Sequence, residues 1–166
     1  MTVNLNLPPY LAQYCAEKYN AQDNIIDPVK GSPISQFLRV FLRHKNTRPQ
    51  NPKENTPADP YSVTMKIRIP HFPGRDPQYY NYLSPIAESQ LRDLIRSIFE
   101  VELFSDFTKI SNFNIPVNEY IYSWMDAHGI EPEEKNWLAI SKRLQLLRMR
   151  DRDRTRKAKH KKQQIQ

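Results

Sequence analysis

Eleven of the chain's 25 Lys and Arg residues fall in one short stretch: Lys142, Arg143, Arg148, Arg150, Arg152, Arg154, Arg156, Lys157, Lys159, Lys161 and Lys162, with only Asp151 and Asp153 among them. Residues 142–162 therefore carry a net +9, whereas residues 1–141, with 14 Lys/Arg against 16 Asp/Glu, sum to −2. A localised cationic block on a nearly neutral body suits a polyanion, because each phosphate it neutralises releases a condensed counterion. Gln145 lies in the same stretch. With Lys142 and Arg143 it has donors of the kind that reach base edges in a major groove, where Arg and Lys pair with guanine and Gln or Asn with adenine. The reading is phosphate contact from Arg148 to Lys162, with Lys142, Arg143 and Gln145 nearest a groove.

Positioning these residues requires helices. Val117, Tyr120, Ile121, Trp124 and Met125 recur at i, i+3, i+4, i+7 and i+8 after Pro116, an amphipathic helix that Gly129 stops. A second helix begins between Pro132 and Asn136, with Trp137, Ile140, Leu144 and Leu147 inside and Lys135, Asn136 and Ala139 outward or flanking. Two helices joined by a short Gly-containing turn make a helix-turn-helix-like pair over 115–147. Glu131, Glu133 and Glu134 oppose groove insertion at that end and favour the helix dipole instead, so an ordinary helical hairpin is the competing reading. Beyond Leu147, the two-residue period of the arginines is read as placing them all round a helix, a uniformly charged surface. Asp151 before Arg154 and Asp153 before Lys157 have the acid-first order of intrahelical ion pairs, which carries the helix to about residue 157.

The first half is mixed. Val3, Leu5 and Leu7 alternate with polar residues as a half-buried strand does, and Tyr10, Leu11, Tyr14 and Cys15 follow Pro9 with helical spacing. Ser32-Pro33 and Ser84-Pro85 each read as an N-cap followed by a first-turn proline. The first precedes Ile34, Phe37, Leu38, Phe41 and Leu42; the second precedes Ile86, Leu91, Leu94, Ile95 and Ile98, in one bent helix or two short ones over 85–110. Residues 44–60 hold four prolines among polar residues and read as a long exposed connector, with His44, Lys45, Arg48 and Lys53 as secondary phosphate contacts. Val63, Met65, Ile67 and Ile69 give the cleanest strand. Tyr79, Tyr80 and Tyr82 form a second strand or an aromatic shelf. Stacking on unpaired bases is its functional reading, and core packing is the preferred one.

Other chemistries find little support. His44, His71, His128 and His160 are scattered, the lone Cys15 has no partner for a disulfide or a zinc site, and three glycines cannot build a phosphate-cradling loop. Glu100, Glu102, Glu133 and Glu134 are carboxylates without an evident partner, so no catalytic residue, metal site or cofactor is assigned and a non-enzymatic role is expected. Cys15 reads as a buried apolar group. Aromatic residues at 11% argue for a folded body. No run approaches a membrane span and no signal-peptide pattern opens the chain, so a soluble, cytoplasmic protein without membrane contact is expected.

Two segments, Asp76 to Phe99 and Ile121 to Gln145, resemble small proteins carried by phages and integrated mobile elements of gut Bacteroidetes. Tyr80, Asn81, Tyr82 and Leu83 before a long helix, and Trp124, His128, Gly129, Ile130, Trp137 and Lys142 around a second helix pair, carry the resemblance. It covers about half the chain, and it implies a mobile-element setting in a bacterial host cell without supplying catalytic residues.

The expectation is an α+β fold: a small two- or three-stranded sheet with helices over 1–83, a helical module over 84–147, and a basic C-terminal extension over 148–166. Its expected function is nucleic-acid binding, with duplex DNA the first choice of partner, in an accessory or regulatory role. The alternatives are a protein-interaction or assembly factor whose arm binds an acidic or nucleoprotein partner, and a binder of structured RNA. Sequence sets neither the oligomeric state nor the target site.

Overall fold

Alternation and proline placement explain the first elements of the computed structural model, which describes residues 1–47 and 61–163, with the side chains of Asn112 and residues 159–163 excepted. Strand β1 (Thr2–Leu7) buries Val3, Leu5 and Leu7 and leaves Thr2, Asn4 and Asn6 in solvent. It pairs antiparallel with β4 (Val63–Arg68), Val3 opposite Ile67 and Leu5 opposite Met65. All the inward residues of both strands thereby reach one face, as the two-residue period requires. On the outer face the Thr64 hydroxyl donates to Asn6 Oδ1 at 2.8 Å. The short strand β2 (Ile25–Ile26) joins β4 on its other side in parallel, giving the sheet order β1-β4-β2.

Helices cover the apolar face. Helix α1 (Pro9–Lys18) buries Tyr10, Leu11, Tyr14 and Cys15. Helix α2 (Pro33–Phe41) is capped by Ser32, whose Oγ accepts the Ser35 N–H, and α3 (Pro85–Ile110) by Ser84 in the same way through Ala87. Residues 85–110 form one helix, and its inward row is Ala87, Leu91, Ile95, Phe99 and Leu103, a repeat of four, while Ile86 lies in solvent. Helices α4 (Val117–Ala127) and α5 (Glu134–Gln163) complete the body. One buried cluster runs from Val3 through Phe99 and Trp124 to Ile140 and Leu144, so residues 1–83 and 84–147 share a core. Phe99 sits at its centre, edge-on to Tyr10, Tyr14 and Trp124. The fold is α+β, with a small three-stranded mixed sheet and five helices among the described residues.

The stretch read as a loop from residue 44 is structured at its start. Arg43–His44 (β3) pairs antiparallel with Tyr80–Tyr82 (β5) in a separate two-stranded ribbon, and Lys45–Thr47 makes a tight 3₁₀ turn. Two of the four positions named there, Arg48 and Lys53, lie outside the described residues. These tyrosines are not core: Tyr79, just before β5, is 48% exposed, and Tyr80 and Tyr82 within it are half-buried. Composition favoured burial of these rings, but β5 joins the ribbon with β3 and not the main sheet, which keeps them off the buried cluster.

Candidate nucleic-acid interface

The basic segment is held by the turn that precedes it. Helix α4 ends in a Schellman motif: Gly129, at φ +64°, follows the cap, the Ile130 N–H donates to Met125 O at 2.9 Å, and Gly129 N–H to Asp126 O at 3.3 Å. Ile130 and Met125, the two positions where such a motif commonly carries an apolar contact, are both buried. The connection then runs to Glu134, six residues from His128 to Glu133, longer than the three or four residues typical of a DNA-reading helix-turn-helix. The helix-turn-helix-like pair is present, with an acidic entrance to its second helix.

That entrance is fixed by Asn136. Its side chain, expected outward or flanking the core, is 2% exposed. Asn136 Nδ2 donates to Gln13 Oε1 at 3.1 Å and to Glu131 O at 3.0 Å, while the Glu131 N–H donates to the same Gln13 oxygen at 3.1 Å. The amide is thus spent on joining α5 to α1, because the turn of helix that buries Ile140 also carries position 136 inward. Lys135 is drawn over the Tyr61 ring, 4.2 Å from its centroid, and Trp137 stacks on Tyr122. The first two turns of α5 are therefore scaffold.

Of the three residues placed nearest a groove, Lys142 and Gln145 are exposed. The Arg143 guanidinium instead meets Glu100 on α3 at 3.2 Å, where the carboxylate is mostly buried. Glu102 also has partners. It accepts from Tyr14 OH and from Lys18 Nζ, the latter at 2.6 Å. Burial alone would raise the Glu102 pKa, but these two hydrogen bonds and the Lys18 charge outweigh it and hold the carboxyl below its ordinary value. Asp106 is likewise lowered, against its burial, by Lys109 and by the Trp124 indole N–H. Cys15 is fully buried, and desolvation pushes its thiol up to about 12, the behaviour of a core group.

Beyond the body, α5 continues as helix to Gln163, six residues further than the acid-first pairs imply. Arg148 is half-buried at the root, its guanidinium 5.2 Å from the Phe107 ring centroid, and every side chain from Met149 to Ala158 is exposed. The 15 residues from Met149 to Gln163 extend the helix by roughly 22 Å at 1.5 Å per residue. The ion pairs Asp151–Arg154 and Asp153–Lys157 are not formed; Thr155 Oγ1 donates to Asp151 O at 3.0 Å. The side chains of Lys159, Lys161 and Lys162 lie outside the described residues.

The arm is also not uniformly charged. At about 100° per residue, a step of two turns about 200°, so alternate arginines fall on opposite sides of the helix and those four apart align. Arg148, Arg152 and Arg156 make one row within about 80° of arc, and Arg150, Arg154 and Lys157 make another within about 60°, facing away from the first. Asp151 and Asp153 occupy the two seams between them. Gln145 heads the first row and lines a shallow groove with Val117, Ser141, Arg148 and Arg152. Arg143, tied to Glu100, heads the second.

No protein-family model matches the chain, and no curated protein or solved structure matches it significantly. Among the described residues, no helix is long and apolar enough to cross a membrane.

Proposed function

We propose that this protein binds duplex DNA through the basic half of α5, in an accessory or regulatory role within a phage or mobile element. The observation that carries the reading is the arrangement of the arm: a helix standing clear of the body, with cationic rows on opposite sides and an acidic residue in each seam. The major groove of B-DNA, about 12 Å wide, admits one α-helix and has a phosphate backbone along each wall. A helix lying there presents one row to each strand. The deep, narrow major groove of A-form RNA does not accept a helix in this way, which favours DNA over structured RNA.

Contacts of this kind fix position and affinity and carry little sequence information. Lys142 and Gln145, exposed at the root, are the residues left to reach base edges, while Asn136 and Arg143 serve the scaffold. The test compares Arg152→Gln/Arg156→Gln with Arg150→Gln/Arg154→Gln by duplex binding across a salt series. Each pair should flatten the dependence of log K on log salt by about 2, at roughly 0.9 for each phosphate no longer neutralised. If neither pair changes the slope, the arm is not the phosphate-binding element. If one pair alone does so, the arm lies with a single face on the polyanion.

A further inference from the structure

The β3–β5 ribbon carries a second group of residues that the arm does not use. The rings of His44 and Tyr79 lie parallel, 5.9 Å between centroids and 8° between planes, and Tyr80 meets His44 edge-on at 5.5 Å. The ribbon sets this spacing, because the Lys45 N–H donates to Tyr79 O at 2.7 Å and His44 pairs with Tyr80 across the strands. Cations surround the rings: Lys45 Nζ stands 5.1 Å from the Tyr79 centroid and the Arg75 guanidinium 5.8 Å from that of Tyr80, with Arg43 exposed on the same strand as His44. Arg75 is anchored, its Nη1 donating to the Arg39 and Leu42 carbonyls at the end of α2, so it fixes the Tyr80 side of the cluster. The nearby acid, Asp76, directs Oδ1 at the Gln78 N–H.

None of Tyr79, Tyr80 and Tyr82 belongs to the buried cluster, and the Tyr79 ring is about half in solvent. We propose that this ribbon is a stacking platform for unpaired nucleotides of single-stranded nucleic acid. A base has an apolar face of the size of the Tyr79 ring, and stacking on it is indifferent to base identity. The flexible Lys45 side chain now over Tyr79 is the group a base displaces, and its ammonium, with Arg43, is then within the reach of the flanking phosphates. A paired duplex keeps its base faces inside the helical stack and offers nothing to this platform. The site is independent of the arm, and neither needs the other to bind.

The test uses the full-length protein with labelled oligothymidylate, oligouridylate and a blunt duplex, comparing wild type with Tyr79→Ala and Tyr79→Phe. Tyr79 is half in solvent, so neither variant disturbs the core. Tyr79→Ala should weaken binding to the single strands about tenfold, the size of one base stack, and leave duplex binding within about twofold. Tyr79→Phe keeps the ring and should bind as wild type does. Equal weakening for both oligomers assigns the platform to unpaired nucleotides in general, and weakening for one alone assigns it to that polymer. The proposal is overturned if wild type binds neither single strand, if Tyr79→Ala binds them as wild type does, if duplex affinity falls in proportion, or if Tyr79→Phe behaves as Tyr79→Ala. An arm variant that loses the duplex while keeping the Tyr79-dependent single-strand binding would remove the duplex proposal and leave this one standing.

Discussion

Replacing Asn136 by alanine separates a structural amide from a base-reading one. Asn136 lies in the first turn of α5, the region that enters the groove in a DNA-reading helix-turn-helix, yet its Nδ2 is committed to Gln13 Oε1 and Glu131 O. Losing these two hydrogen bonds, while the Glu131 carbonyl keeps the Glu133 N–H at 2.8 Å, costs about 2 kcal/mol at roughly 1 kcal/mol each. For a chain of this length that lowers Tm by roughly 4–8 °C. Gln13 Oε1 keeps the Glu131 N–H, which holds the loss to that range and below that of a core cavity. Differential scanning fluorimetry reads the shift, and duplex binding measured well below the variant's Tm should match wild type. An unchanged Tm would refute the assignment of Asn136 to the α1–α5 joint. A selective loss of affinity for one DNA sequence in the folded variant would restore it as a reader of bases.

Gly129→Ala should cost about 1–2 kcal/mol from the left-handed backbone alone, and the added Cβ would also stand 3.0 Å from Glu17 Cβ; urea titration of Gly129→Ala with and without Glu17→Ala should show that shortening Glu17 does not recover the loss. Glu102, lowered in the folded state, adds stability that is fully present above its unfolded pKa and is lost as pH falls through the folded value. Melting curves of wild type and Glu102→Gln should therefore differ most near neutrality, by about 1 kcal/mol or less for a pair a third exposed, and converge in acid. Arg143→Ala breaks the Glu100 pair and should leave the salt slope of duplex binding nearly unchanged, whereas removing a residue that does neutralise a phosphate lowers the slope by about 0.9.

The parts of the fold legible in the sequence are those governed by local rules. Strand alternation in Val3, Leu5 and Leu7, the Ser-Pro helix starts at 32–33 and 84–85, and the Gly129 stop each depend on a few neighbouring residues. What escaped depends on tertiary partners. The inward turn of Asn136 follows from a Gln13 acceptor 123 positions away, and the partners of Glu100 and Glu102 come from α5 and α1. The ribbon between β3 and β5 joins segments 36 to 39 residues apart through a strand of two residues, too short for a periodicity signal. The twofold arrangement of the arm needed no tertiary partner, yet the reading of a uniformly charged surface missed it: alternate residues on a helix oppose each other, and the rows at spacings of four follow from Arg148, Arg152 and Arg156 alone.

The most direct test of duplex binding by the arm is fluorescence anisotropy of full-length protein and a 1–147 truncation with duplex DNA, single-stranded DNA and structured RNA across a salt series. Among the described residues the last fully buried side chain is Leu144, so the truncation keeps the described core, and far-ultraviolet circular dichroism checks that it stays folded. Phosphate binding by two rows predicts a duplex preference for the full chain, with affinity falling on truncation for all sequences alike and the salt slope dropping by about 4 or more. Equal duplex affinity and equal slope for the two proteins would contradict it.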